Sequence, residues 1–149
     1  MNDGMDELYR DIILDHYRNP RNSGSIEGDS VIIIEEFNPL CGDKIIVYLH
    51  SLSGELIDDI KFIGEGCSIS QSSASIMTDL VIGKKIEHAK QIVQQFHTFI
   101  TGGNIDEDDN SLGDIDAFKG VRKFPARIKC AGLAWNSLDK AIDSMKKLT

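Results

Sequence analysis

Apolar and polar positions follow two periods along the chain, and the change from one to the other divides it. From Met5 to Asn19, Leu8, Ile12, Ile13 and Tyr17 recur at helical spacing among Asp6, Glu7, Arg10, Asp11 and Asp15, which predicts an amphipathic helix. Pro20 ends it, and Asn22-Ser23-Gly24-Ser25 reads as loop. Ser30 to Phe37 is rich in β-branched residues and predicts a strand. Lys44 to Ser51 alternates, with Ile45, Val47 and Leu49 on one face and Ile46, Tyr48 and His50 on the other. Ser53-Gly54 predicts a tight hairpin turn into a third strand, Leu56 to Gly64. Short connections between three consecutive strands imply an antiparallel meander.

The helical period returns after Gly66. Ile69, Ile76, Met77 and Leu80 form a stripe in a serine-rich segment, with Ser68 or Ser70 as the expected cap and Gly83 as the stop. Ile86 to Ile100 is a further helix, closed by Gly102-Gly103. Phe118, Val121 and Phe124 precede Pro125. Cys130 to Leu148 then reads as the last helix, striped by Leu133, Ala134, Leu138, Ala141, Ile142 and Met145, with Trp135 at its edge. The expected class is α+β, a three-stranded antiparallel sheet packed against four to five helices, as one domain over 1–149.

Composition narrows the function classes. No apolar run approaches the ~20 residues of a membrane span, and the acidic N-terminus lacks a signal-peptide pattern, so a cytoplasmic protein without a membrane partner is expected. Three cysteines in such a chain point to metal binding or catalysis ahead of a disulfide framework. The net charge of -8 is uneven. From Lys119 to Thr149, eight Lys/Arg face only Asp139 and Asp143, a net +6, which leaves -14 on residues 1–118. Four of these cations, Arg122, Lys123, Arg127 and Lys129, stand just before Cys130. On so acidic a body they do not make a nucleic-acid face. They read as a solvated stretch or as an offset to an anionic site beside them. The acidic stretch Asn104 to Asp116 fails as a calcium loop: counted from Asp106, the sixth position is Ser111 where glycine is needed and the twelfth is Ala117 where glutamate is needed. His16, His88 and His97 share no ligand spacing and read as ordinary helix residues.

The chemistry lies in Cys41-Gly42-Asp43, Cys67 and Cys130. Glycine between a thiol and a carboxylate lets the backbone turn tightly enough for both side chains to reach one point. In a meander, strands one and three both run toward the first hairpin, so Cys67 should return beside Cys41. Cys67 and Cys130 each open a predicted helix, where the dipole favours a thiolate. By spacing alone, the three cysteines fit one metal or sulfur-handling site, or two structural cysteines and one exposed thiol. If all four residues bind one ion, three sulfurs and an oxygen suit tetrahedral Zn²⁺. The net site charge would be -2, with Lys44, Arg127 and Lys129 near enough in sequence to moderate it.

Four stretches carry a resemblance: Leu8-Tyr9 through His16-Tyr17-Arg18-Asn19-Pro20-Arg21-Asn22, Asn38-Pro39-Leu40-Cys41-Gly42-Asp43, Gly64-Glu65-Gly66-Cys67 through Ser75, and Arg127-Ile128-Lys129-Cys130-Ala131. Over nearly its whole length the chain resembles the U-type iron–sulfur cluster assembly family, the IscU-like and NifU N-terminal-like proteins. The resemblance implies an α+β fold with a site of three Cys and one Asp at the tip of its sheet. Scaffold members carry histidine immediately before the third cysteine, where this chain has Lys129, and the acidic Gly102 to Phe118 region looks like an insertion. Both traits are similar to the SufU branch. That branch implies a zinc-dependent sulfurtransferase, with Cys41 as persulfide acceptor and Asp43, Cys67 and Cys130 as its zinc partners. The implied partners are a SUF-type cysteine desulfurase and a downstream iron–sulfur scaffold or apo-proteins. The alternative is a scaffold that assembles a [2Fe-2S] cluster, or holds iron, on the same residues.

Overall fold

A computed structural model of the chain describes residues 3–103 and 112–148. Helix α1 (Asp3–Arg18) leads to strands β1 (Val31–Asn38), β2 (Asp43–His50) and β3 (Asp59–Glu65), which are followed by α2 (Ser68–Val81) and α3 (Ile86–Ile100). A 3₁₀ helix, η1 (Gly113–Lys123), and the long α4 (Pro125–Leu148) complete the described chain. The expected α+β class holds, with an antiparallel sheet in the order β1-β2-β3. The sheet's inner face, Ile45, Val47, Leu49, Ile60 and Phe62, is buried against the helices in one connected apolar cluster. Among the described residues, no helix is long and apolar enough to cross a membrane.

Strand register positions the site. Asn38 pairs with Asp43 to close the first hairpin, and Lys44 pairs with Glu65 on the other side of β2. The chain leaving β3 therefore enters α2 beside the start of β2, as the meander requires.

The second connection differs from the expected hairpin. Residues 51–58 form a loop, and β3 starts at Asp59. Leu56 bridges to Lys85, the Ile57 amide donates to Lys84 O at 2.8 Å, and the Gly83 amide donates to Ile57 O at 2.9 Å. The backbone groups that a tight hairpin would give to β2 are thus taken by the α2–α3 turn, and Ile57 is fully buried.

The serine-rich helix is the centre of the molecule. Every residue of α2 from Ile69 to Thr78 is buried, so the single apolar stripe read from sequence understates its environment. Small side chains let α1 and α4 pack closely, and each buried hydroxyl finds a partner, which removes the cost of burying it. Ser73 Oγ donates to Ala131 O at 2.6 Å and accepts from Trp135 Nε1 at 3.0 Å. Ser75 Oγ accepts the Arg21 amide at 2.8 Å and lies 2.8 Å from His16 Nδ1. Neither Ser68 nor Ser70 caps the helix; Cys67 is its N-cap residue, without a side-chain cap bond.

Trp135 is not at the edge of α4. It is fully buried and stacks on Phe96 with ring centroids 4.4 Å apart. Leu8 and Tyr17, expected to face the core, are exposed, because α1 buries chiefly Ile13 and His16. His88 is exposed and His97 half-buried. Of the acidic stretch, residues 104–111 lie outside the described residues, while Asp114 and Asp116 fall in the first turn of η1. Trp135→Ala would empty a stacked, fully enclosed site, with an expected loss of about 3–5 kcal/mol in urea unfolding followed by circular dichroism.

Candidate metal centre

The first hairpin is organised by Asn38. Its carbonyl accepts the Gly42 amide at 2.8 Å and its Oδ1 accepts the Leu40 amide at 3.1 Å. Gly42 has φ +73, a left-handed conformation that glycine adopts without a Cβ penalty. Chain reversal over residues 39–42 then brings Cys41 and Asp43 together. The Cys41 thiol donates to Asp43 Oδ2 at 3.0 Å. Cys41 is exposed, whereas Asp43 is 0% exposed.

Asp43 also holds the start of α2. Its Oδ1 accepts the Cys67 amide at 2.8 Å, and its Oδ2 lies 3.4 Å from Cys67 Sγ. Such closeness needs Gly66, which has φ +141 and on which a Cβ would overlap Oδ1 and Cγ of Asp43. Sequence reading named Gly66 within a motif but not this role; the signal was a glycine immediately before the cysteine. Cys130 Sγ lies 3.0 Å from Cys41 Sγ. The ligand atoms of Cys41, Asp43 and Cys130 all fall within 4.8 Å of one another. Cys67 stands outside that group and borders it through Asp43, with Ser70 Oγ 3.9 Å from its sulfur on the other side.

Cys130 does not open a helix. Pro125 is the first residue of α4, a position where its fixed φ and missing N–H cost nothing. Cys130 thus sits in the second turn, its thiol bonded to Ala126 O at 3.5 Å. The dipole argument for a thiolate therefore applies to Cys67 and not to Cys130. Burial, followed by its bonds to Cys41 and Asp43, pushes the Cys130 thiol far above the usual range. Burial also disfavours ionised Asp43, but bonds from the Cys41 thiol, the Cys67 amide, and the Cys130 and Cys67 thiols outweigh it and lower its pKa.

The cations expected nearby turn elsewhere. Lys44 Nζ pairs with Glu35 at 3.1 Å. Arg127 and Lys129 are exposed on the first turns of α4, and Arg127 lines a groove beside α1. His16 bonds Ser75 and Asp114 and plays no part in the centre. Among the described residues, no cation forms an ion pair with Asp43. A buried carboxylate facing three thiols therefore lacks a compensating positive charge once those thiols ionise. Sulfur donors with a single carboxylate oxygen suit a borderline-soft dication such as Zn²⁺, and the residues present fit one.

An α+β frame with a thiol–carboxylate cluster able to hold a metal at the tip of its sheet defines the class of protein. Residues 8–147 match the model of the NifU-like N terminal domain, and the chain belongs to that family. It is 49% identical over 141 residues to the zinc-dependent sulfurtransferase SufU of Bacillus subtilis (strain 168), covering 95% of this chain and 93% of that protein. It is 38% identical over 138 residues to the iron–sulfur cluster assembly scaffold protein IscU of Streptococcus pyogenes serotype M1, covering 93% and 84%. Among solved structures it is similar to a protein from Fervidobacterium islandicum AW-1 described as an iron–sulfur cluster assembly scaffold for the SUF system, with a TM-score of 0.81 and 33% identity over 91% of this chain and 97% of that one.

Gly66→Ala should displace Asp43 and weaken Zn²⁺ binding by roughly 10–100-fold, the usual effect of disturbing a ligand's support, as read by competition with a chromophoric chelator. In the metal-free protein the folded state keeps Cys130 protonated, whereas the unfolded thiol ionises near about pH 8.5. Above that pH the folded state binds more protons, so stability falls as pH rises. Melting temperatures of the chelated protein should therefore drop from pH 8 to pH 10, and Cys130→Ser should flatten that drop.

Proposed function

We propose that this protein is a zinc-dependent sulfurtransferase of iron–sulfur cluster biogenesis, acting in the cytoplasm with a SUF-type cysteine desulfurase. The observation that carries this reading is the unequal exposure of its donors: Cys41 is open to solvent while Asp43 and Cys130 are buried. Cys41 is the sulfur most open to a partner, Cys67 is half-buried, and Asp43 and Cys130 are enclosed. The sulfurtransferase name of a 49% identical relative supports the same reading.

In this reading Cys41, Asp43, Cys67 and Cys130 are the zinc ligands, and Cys41 is also the sulfur acceptor. Zinc, when bound, favours thiolates by its charge and stabilises the fold around the tip. Asp43 orients the Cys41 sulfur through Oδ2 while the Cys67 amide holds Oδ1. The Cys41 thiolate attacks the outer sulfur of the donor's persulfide. The donor's S–S bond breaks, a new S–S bond forms on Cys41 Sγ, and the donor cysteine leaves as a thiolate. Arg127 and Lys129 pair with no carboxylate of the centre among the described residues, so the bound dication would itself offset the negative charge of its ligands. The sulfur then passes to a downstream iron–sulfur scaffold or apo-protein.

A second reading, a scaffold holding a [2Fe-2S] cluster on these ligands, is favoured by the 38% identical IscU. Lys129, adjoining Cys130, has no lone pair to offer while protonated and weighs against it.

Cys41→Ser should abolish stimulation of cysteine desulfurase turnover by the zinc-loaded protein; full stimulation by that variant would rule out the mechanism. Asp43→Ala should lower zinc affinity by more than the roughly 10–100-fold of a lost supporting contact, measured by metal analysis after dialysis. Transfer of a reconstituted cluster to an apo-ferredoxin, with no persulfide on Cys41, would favour the scaffold reading instead.

A further inference from the structure

An open groove of about 580 Å³ runs between α1, α2, η1 and the start of α4. Its apolar lining includes Ile13 of α1, Ile69 of α2, Val121 of η1 and Phe124, and Phe124 is 56% exposed. Arg10 of α1 and Arg127 of α4 supply its charge, and among the described residues no carboxylate lines it. Among the described residues, neither guanidinium forms an ion pair. The groove is thus cationic and apolar on a chain whose net charge is -8.

The groove adjoins the metal centre. Ser68 and Ile69 follow Cys67 directly, and Phe124 and Arg127 stand six and three residues before Cys130, whose sulfur lies 3.0 Å from that of Cys41. Its walls are also fixed. Buried His16 joins α2 through Ser75 at 2.8 Å and η1 through Asp114 at 2.9 Å, so η1 is held against α1 and α2 without a partner present.

We infer that this groove docks an acidic amphipathic helix of the sulfur donor, whose apolar side chains enter between α1 and η1 while its carboxylates meet Arg10 and Arg127. An apolar floor flanked by cations fits the helix-in-groove mode of recognition, and the opposite charge supplies specificity and speed of encounter. The inference rests on the sulfurtransferase reading and adds the surface by which the donor is held next to Cys41.

The test uses the full-length zinc-loaded protein and a SUF-type cysteine desulfurase. Arg10→Glu and Phe124→Asp alter exposed positions, and Leu52→Asp alters a more exposed apolar residue in the loop at the opposite end of the sheet. Zinc content and circular dichroism establish that each variant is folded and loaded. Arg10→Glu and Phe124→Asp should each raise the concentration giving half-maximal stimulation at least tenfold, with the matching change in Kd by calorimetry. Leu52→Asp should stay within twofold of the parent. Parent binding should also weaken between low salt and 0.3 M salt, and less so in Arg10→Glu. Donor affinities within twofold of the parent for both groove variants would overturn the inference, even if onward delivery of sulfur from Cys41 were slowed, since the occupant would then be the acceptor. A parent protein that neither binds nor stimulates the desulfurase would overturn the sulfurtransferase reading itself, and the docking inference with it.

Discussion

The bond from the Cys67 amide to Asp43 Oδ1 joins the two halves of the centre, and the centre depends on it. The Cys67 amide belongs to the N-cap of α2 and would otherwise be an unpaired donor; for the buried Asp43 carboxylate it is the backbone donor, held on Oδ1 while the Cys41 thiol bonds Oδ2. The contact exists because β2 and β3 pair in one register, with Lys44 opposite Glu65. A slip of one residue would turn Ile45, Val47 and Leu49 to solvent and carry Asp43 out of the site. Burial of those three side chains therefore fixes the ligand geometry at the sheet's end. Gly66 completes the constraint, since no side chain fits between the chain at that point and Asp43.

Behind the centre, α2 is held by hydroxyl groups as much as by apolar packing. Serines are poor helix formers in isolation, yet here their small size admits α1 and α4, and their oxygens bond Ala131, Trp135, Arg21 and His16. Among the described residues, no buried side-chain nitrogen or oxygen lacks a partner. A network satisfied to that degree rigidifies the helix whose N-cap is Cys67, while Cys41 stands on the exposed hairpin.

The thiols of the centre are divided in the same way between buried and exposed positions. Cys130 lies in the second turn of α4, enclosed and costly to ionise without a cation. Cys41 lies on a four-residue hairpin at the surface. Burial separates the Cys130 thiol from the exposed Cys41 thiol, although their sulfurs are only 3.0 Å apart.

The sequence by itself determined the element order, the meander and the residues with ligand chemistry, because those rest on local periodicity and on glycine and proline. The alternation in 44–50 reads as a half-buried strand, and the topology then had to return Cys67 to the end of the sheet where Asp43 lies. Tertiary structure alone decided that residues 55–57 pair with the α2–α3 turn, that Trp135 enters the core, and that α4 begins at Pro125, which moves Cys130 off the helix terminus. It also decided that Lys44 serves Glu35 and leaves Asp43 without an ion-pair partner among the described residues. Each of these outcomes is a competition among groups distant in sequence for the same partner or the same space, and no local pattern records which of them wins.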